Sequence, residues 1–256
     1  MEPVFAQWLS VLQSLWWPFC RTLALFSAAP VFGDNMMPVT VRVLLSLVIA
    51  VVMLPIATPG VAIDPFSLHG VAATAEQALI GFVIGLAFHL TVAVVMVLGF
   101  MVSSQMGLSM AVMNDPMNGN SSDVVSGLLY ILTVIVFFAI DGHLVLTNVL
   151  GESFHAWPVG QNFPLGGLQG IVLGIAWVFS AALLLALPII FSTLVVQIGF
   201  GFLNRVAPAL NLFSLGFSLV TLFGLLMLTQ IVRFLPDHYV RMSGIVLRML
   251  RQNLGL

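Results

Sequence analysis

Long apolar stretches separated by short polar turns form most of the chain, and six of them can be read from the sequence. They are much longer than the strands of a membrane barrel and lack the alternation of such strands, so we predict that they are helices. A bilayer core about 30 Å thick is crossed by about 20 helical residues. The third and fifth stretches exceed that length, so they must tilt, bend, fold back or project beyond the hydrocarbon. The six stretches are residues 4–32, 39–58, 77–113, 124–150, 168–203 and 210–235.

Glycine and proline shape two of these predicted helices. Gly81 and Gly85 lie one helical turn apart in the third stretch, and Gly170 and Gly174 have the same spacing in the fifth. Two glycines at this spacing let another helix come close. Pro188 removes a backbone donor from the fifth stretch and can kink it. We therefore predict an all-α, polytopic, membrane-associated fold.

Composition narrows the class of protein. Of the 256 residues, 61% are hydrophobic and 6% are charged, whereas soluble domains carry about 25% charged residues. A soluble fold of this length could not bury so much apolar surface, which excludes an ordinary soluble enzyme. The net charge is −2 and no block of like charge exists, so we expect no nucleic-acid partner. Cys20 stands alone, which excludes a disulfide framework within the chain.

Arginines give conflicting indications of topology. Arg233, Arg241, Arg248 and Arg251 cluster late in the chain and favour a cytoplasmic position by the positive-inside rule. Arg205, between the fifth and sixth stretches, favours the same side. Both cannot be cytoplasmic if each stretch crosses the bilayer once, so these helices need not be simple spans.

The sequence lacks motifs of enzyme chemistry. Neither the histidine spacing of zinc proteases nor a Gly-rich phosphate loop occurs, so we expect no metal, no cofactor and no enzymatic activity. Asp141 and His143 follow an apolar run, and an intramembrane acid is a functional candidate. The intervening Gly142 favours a structural role instead, in which Asp141 caps a new helix near the interface. An aspartyl protease would need a second acid at matching depth, but Asp115 and Asp123 lie in a predicted loop.

Methionines are concentrated between the third and fourth stretches. Met106, Met110, Met113 and Met117 are spaced 4, 3 and 4 residues apart, so on a helix they would form one stripe. The stripe leads into a small polar tract that ends at residue 122. Methionine is unbranched and adapts to different neighbours. Two interpretations therefore remain open: ordinary helix packing in lipid, or a deformable gasket in a pore.

Several strings spread over nearly the whole chain resemble those of one family. The longest and most specific is RVAPALNLFSLGF at residues 205–217. The others are APVFG at 29–33, MPVTVR at 37–42, QMGLSMA at 105–111, DP at 115–116, DGHL at 141–144 and SF at 153–154. By these residues the chain resembles the FliR/SctT family of type III secretion export-gate subunits, and within it the flagellar branch. Ala209 and Ser218 stand where the family commonly has Gln and Pro.

The resemblance implies a role in protein export. Members of this family join FliP and FliQ in a helical export gate of the bacterial inner membrane, at the flagellar basal body, with FlhB wrapped around it and FlhA beneath. The gate passes unfolded flagellar proteins across the membrane. The family fold implies FliP-like helices at residues 1–160 and a FliQ-like helical hairpin at 161–256. It also implies membrane-lipid contact and, once assembled, a position partly on the periplasmic side.

Two groups of site residues follow from the resemblance. The family's gate contains a plug segment inside the closed pore, and this maps onto residues 106–122 here. Its expected gasket residues are Met106, Gly107, Met110, Met113, Asn114, Asp115, Pro116, Met117 and Gly119. The hairpin tip and its packing surface are expected at Arg205, Pro208, Asn211, Phe213 and Gly216.

The residues alone leave two other classes of function open. A secondary transporter for a small solute would bind its substrate at broken helices, for which Pro188 and the glycine-rich third stretch are candidate positions. An intramembrane enzyme would depend on Asp141. A transporter would work as the chain alone, whereas an export-gate subunit would be recovered in a large mixed complex.

Overall fold

The computed structural model describes the chain apart from a few short segments. The described residues are 2–33, 37–57, 63–108, 113–114, 121–160, 166–206 and 212–254. Within them the chain forms helices and one pair of two-residue strands, which confirms the all-α fold class. The helices are α1 (Glu2–Ala28), α2 (Val39–Met53), α3 (Leu68–Gln105), α4 (Val124–Ala139), α5 (Gly142–Ala156), α6 (Gly166–Val206) and α7 (Leu212–Leu254), and the strands are β1 (Met113–Asn114) and β2 (Ser121–Ser122).

The predicted stretches correspond to these helices with some differences. The fourth stretch is divided into α4 and α5, with the break between Ala139 and Gly142. α3 begins at Leu68, ahead of its apolar run, because the hydroxyl of Ser67 accepts a 3.0 Å hydrogen bond from the N–H of Gly70 and caps the first turn. α6 is continuous through Pro188, so the helix break that a transporter site would use does not occur there.

α7 continues well past the predicted end of the sixth stretch. It passes through Pro236 and ends at Leu254. In this later part of α7 the buried residues are spaced as one face of a helix, and the opposite face is polar. The buried residues of this part are Leu235, Tyr239, Met242, Val246 and Leu250. An amphipathic helix thus follows the apolar one without a break.

Among the described residues, three helices are long and apolar enough to cross a membrane, and α4 and α5 together would make a fourth. These segments are Leu68–Gln105, Val172–Val206 and Ser218–Gln252. In their most apolar windows, 67% of the α3 residues are buried, but only 28% of those in α6 and 22% of those in α7. α3 is therefore a core helix of the chain itself, whereas α6 and α7 present apolar surface to lipid or to other proteins.

The chain divides into two compact units. The first comprises Met1–Leu90, Asp141–Gly174 and Ser243–Leu256. In this unit α1 packs against α2 and also lies against α3. A Cβ at Gly81 would lie 2.0 Å from the carbonyl oxygen of Arg21, and one at Gly85 would lie 2.3 Å from that of Leu25. The backbones of α1 and α3 therefore touch, which confirms the close approach predicted for this glycine pair.

The second unit comprises Thr91–Ile140 and Ile175–Met242. In it the C-terminal half of α3 packs against α4. The two backbones are so close there that a Cβ at Gly99 would lie only 2.6 Å from the Cα of Ser126. The hydroxyl oxygen of Ser126 also lies 3.1 Å from the carbonyl oxygen of Met96. The expected boundary near residue 160, between a FliP-like part and a FliQ-like hairpin, stays a prediction.

Candidate functional site

The connection from α3 to α4 begins with a buried methionine. α3 ends at Gln105, and the next residue, Met106, is fully buried within the second unit. Its carbonyl oxygen accepts a 2.9 Å hydrogen bond from the hydroxyl of Thr221 on α7. Its side chain fills the space beside Gly224, where a Cβ would lie 2.3 Å from the Met106 Cγ and 3.0 Å from its sulfur. We call Met106, Thr221 and Gly224 the methionine seat.

The chain turns immediately after the methionine seat. Gly107 has a φ of 74°, which glycine adopts without the steric cost that a Cβ would bring. Its N–H donates a 3.2 Å hydrogen bond to the carbonyl of Ser104, so the helix ends in a tight turn. A cavity of about 380 Å³ lies beside this turn, and Gln105, Gln197 and Asn204 are among the residues that line it. The end of α3 is therefore a defined position next to a partly polar cavity.

A strand pair and a helix cap close the far end of the connection. β1 and β2 are antiparallel, with Met113 opposite Ser122 and Asn114 opposite Ser121. Asp123, which follows, is the N-cap of α4 and is buried. Its carboxylate accepts hydrogen bonds of 3.1 Å from the backbone N–H groups of Val125 and Ser126 and a further one from the Ser126 hydroxyl.

The environment of Asp123 favours its ionised form. Burial raises the pKa of its carboxyl group, but the polar side chains of Ser103 and Ser126 and the N–H groups of Ser126 and Val125 outweigh burial and hold that pKa below its ordinary value. The cap also lies at the positive end of the α4 dipole, where a negative charge is stabilising. The connection of residues 106–123 is thus fixed at both ends, by a buried methionine and by a charged helix cap.

Met106 and Met113, two of the expected gasket residues, do not lie on one helical stripe in the structure. α3 ends before Met106, and Met113 lies in a strand, so these two residues do not share a helix. Sequence spacing misled here because Gly107 ends the helix. Asn114 is described as part of β1. The remaining members of the set, Met110, Asp115, Pro116, Met117 and Gly119, lie outside the described residues.

The structure describes the residues on either side of the expected hairpin tip. Arg205 is exposed in the last turn of α6. A Cβ at Gly216 on α7 would lie 3.7 Å from the Cγ of Phe200 on α6, so the two helices pack in ordinary van der Waals contact there. Phe213 is a residue of the first turn of α7. Pro208 and Asn211 lie outside the described residues.

Asp141 occupies the predicted cap position without acting as a side-chain cap. It is the N-cap residue of α5, but its side chain makes no capping hydrogen bond. Its φ of 55° and ψ of 33° are left-handed, whereas a capping side chain needs the extended conformation to reach the next N–H groups. Its carbonyl accepts hydrogen bonds from Leu144 and Val145 instead. His143 lies half-buried in the first turn of α5, and across the described residues we find no cluster of three metal-ligating side chains.

A buried arginine that sequence reasoning missed joins three helices of the first unit. The Nε of Arg21 on α1 donates to Gln77 Oε1 on α3 at 2.8 Å. Its Nη1 donates to the hydroxyl of Ser153 on α5 at 3.0 Å, and its Nη2 to the carbonyl of Trp157 at 2.8 Å. The guanidinium carbon lies 4.0 Å from the centroid of the Phe154 ring. We call these residues the Arg21 cluster; its signal in the sequence was one arginine inside a long apolar helix.

Comparisons with known proteins agree with the resemblance in the sequence. Residues 12–244 match the family model described as bacterial export proteins, family 1. The flagellar biosynthetic protein FliR of Pectobacterium carotovorum subsp. carotovorum is 36% identical over 235 residues, 90% of this chain and 87% of that protein. FliR of Escherichia coli (strain K12) is 32% identical over 228 residues, 88% and 87% of the two chains. The surface presentation of antigens protein SpaR of Salmonella typhimurium is 25% identical over 230 residues, 88% and 85%. The chain therefore belongs to the bacterial export proteins, family 1.

Proposed function

We propose that this chain is a core subunit of the flagellar type III secretion export gate in the bacterial inner membrane. Two of its relatives are named flagellar biosynthetic proteins, and its family is one of bacterial export proteins. The structural observation that carries the proposal is the methionine-rich connection between α3 and α4, which is fixed at both ends. A segment held at both ends can close a conduit.

In this role residues 106–122 plug the closed pore. A pore for unfolded chains must fit around side chains of every size and still hold back small ions. Methionine, the residue type at positions 110, 113 and 117, adapts to different neighbours and carries no charge that would bind cargo and stall it. Fixed ends keep such a segment at the pore while cargo passes.

The partners in this function are helical membrane proteins, namely FliP and FliQ within the gate and FlhB and FlhA around it. Support comes from the large apolar side chains that α6 exposes, since a chain surrounded by other subunits needs such surfaces. Leu184, Phe191 and Phe202 are each about two-thirds exposed. The cargo is unfolded flagellar protein, and the remaining apolar surface contacts lipid.

The test is to replace residues 106–122 by a short Gly-Ser linker and to co-express the chain with the products of its neighbouring genes. We expect a particle of normal composition that conducts small ions when reconstituted in a lipid bilayer, because the plug is gone. The intact chain in the same particle is the control. Unaltered conductance of the shortened form would contradict the plug, and recovery of the chain as a monomer would contradict the gate.

A further inference from the structure

Met106, the first residue of the plug segment, is held in place by contacts with α7. A residue of a deformable gasket could not be held in this way. The carbonyl oxygen of Met106 lies just after the last turn of α3, where helical carbonyls lack partners in their own helix. Thr221 supplies that partner at 2.9 Å from a different helix. The hydrogen bond therefore ties the start of the segment to α7.

The side chain of Met106 is enclosed as well. It is fully buried, and it fits against α7 only because residue 224 is glycine: a Cβ there would overlap the Met106 Cγ at 2.3 Å. A thioether enclosed in this way does not also face a passage for cargo. Gly107 follows at once with a positive φ, so the chain changes direction directly after the seat.

We propose that Met106 is the fixed anchor of the plug and not part of its deformable gasket, with Thr221 and Gly224 as the positioning residues that hold it. This inference rests on the proposed plug function. The anchor sets where the plug begins, and the part that yields to cargo starts at Gly107. It follows that the methionine seat stays closed during export.

The first experiment measures the ion conductance of assembled complexes that carry single substitutions in the seat. Thr221→Val removes the hydroxyl at nearly constant volume, and Gly224→Ala places a methyl group on the Met106 Cγ. We expect both to assemble normally and to give at least half of the conductance increase seen when residues 106–122 are replaced. Thr221→Ser keeps a hydroxyl and should stay closed like the wild type.

Two matched controls lie in the same unit. Among the residues that the structure describes, the hydroxyl of Thr229 on α7 donates to the carbonyl of Leu226 in its own helix, so Thr229→Val should have no effect. A Cβ at Gly199 on α6 would meet nothing within 4 Å, so Gly199→Ala should also have none. Met106→Ala and Gly224→Ala should leak equally alone and together, because both disable one device.

The second experiment locks the seat covalently. A Met106→Cys and Gly224→Cys pair, in a chain whose Cys20 is replaced by alanine, can tie the start of the segment to α7 by a disulfide. Because the Cβ at position 224 makes both the reduced and the oxidised complex leak ions, the readout is protein export and not conductance. We expect the oxidised complex to export flagellar protein at the rate of the reduced complex, because the anchor does not move. A block of export on oxidation, with recovery on reduction, would show that Met106 must leave the seat and would overturn the inference.

The outcomes separate the anchor from the plug. If the linker replacement of residues 106–122 does not leak, the plug function fails and the anchor fails with it. If that replacement leaks while Thr221→Val and Gly224→Ala remain closed, the plug stands and the anchor alone is wrong.

Discussion

The guanidinium of Arg21 is buried, and the side chains and carbonyl that receive its hydrogen bonds are neutral. A buried charge is costly unless its hydrogen bonds are satisfied. Arg21 offers a planar fork that reaches Gln77, Ser153 and Trp157 at once, and its charge meets the negative end of the α5 dipole. The Arg21 cluster therefore fixes how α1 meets α3 and α5.

Replacing Arg21 by lysine should destabilise the first unit although the charge is kept. An ammonium group cannot reproduce the fork, so at least one buried partner loses its hydrogen bond, at a cost of about 1–3 kcal/mol. The measurement is the thermal unfolding midpoint of the detergent-purified protein. Arg251→Lys, at an exposed position of α7, is the control, and an equal midpoint for both variants would contradict the role of the cluster.

Acid should loosen the start of α4. The pKa of Asp123 is lower in the folded protein than in the unfolded chain. Its stabilising effect is therefore complete above about pH 4 and is lost as the pH falls through the lowered pKa. The protection factors of the Val125 and Ser126 N–H groups against hydrogen exchange, corrected for the intrinsic exchange rate at each pH, should fall in that range.

Two substitutions provide the controls for the acid experiment. Asp123→Asn keeps a capping oxygen and should remove the pH dependence while leaving α4 protected. Asp123→Ala should expose the same N–H groups at every pH, at a cost of about 1 kcal/mol. A pH response that survives in the Asn variant would assign the effect to another group.

The roles of some single residues could be predicted from the sequence, and those of others could not. The cap position of Asp141 was found, but its left-handed backbone, which disables the side chain, leaves no trace in the residue types. The real cap, Asp123, sat in the predicted loop. Arg21 was visible as an interruption, yet its partners lie 56 to 136 residues away, and a pattern along the chain does not reveal such pairings.

At the scale of helices, the contact between α1 and α3 depends on one missing methyl group. A Cβ at Gly81 would lie 2.0 Å from a backbone oxygen that cannot move out of the way as a side chain would. Gly81→Ala should therefore destabilise the protein in spite of the better helix propensity of alanine, which favours it by about 1 kcal/mol.

The matched variant for this contact is Gly127→Ala. Gly127 lies on α4, and a Cβ there would meet nothing within 4 Å. It should raise the unfolding midpoint slightly, whereas Gly81→Ala should lower it. The same sign for both variants would mean that α1 and α3 do not rely on this close approach.

Helices were predicted well where hydrophobicity alone defines them, and poorly where tertiary contacts end or extend them. The apolar pattern located every long helix and predicted the glycine contact at Gly81 and Gly85. The extension of α7 beyond Pro236 was missed because an amphipathic face replaces the apolar run. The methionine spacing would give one stripe if the residues shared a helix, but α3 ends at Gln105, before the turn at Gly107.

At the scale of the whole molecule, exposed apolar surface predicts how the protein is recovered. α6 and α7 bury few of their apolar residues within the chain. Co-expression with the neighbouring gene products should therefore give a detergent particle with a mass several times that of one chain, measured by light scattering corrected for detergent. A stable single-chain particle under those conditions would favour a protein that works alone.

The central claim is that the plug segment beyond its anchor Met106, residues 107–122, lies in the path of exported protein. The direct measurement places a photo-reactive amino acid at Met113, and in a separate variant at Leu184, on the exposed face of α6. Each complex is illuminated while a flagellar substrate is stalled in transit. We predict a covalent adduct between the substrate and position 113 and none with position 184. Adducts of position 113 with lipid alone, or substrate adducts only at position 184, would contradict the claim.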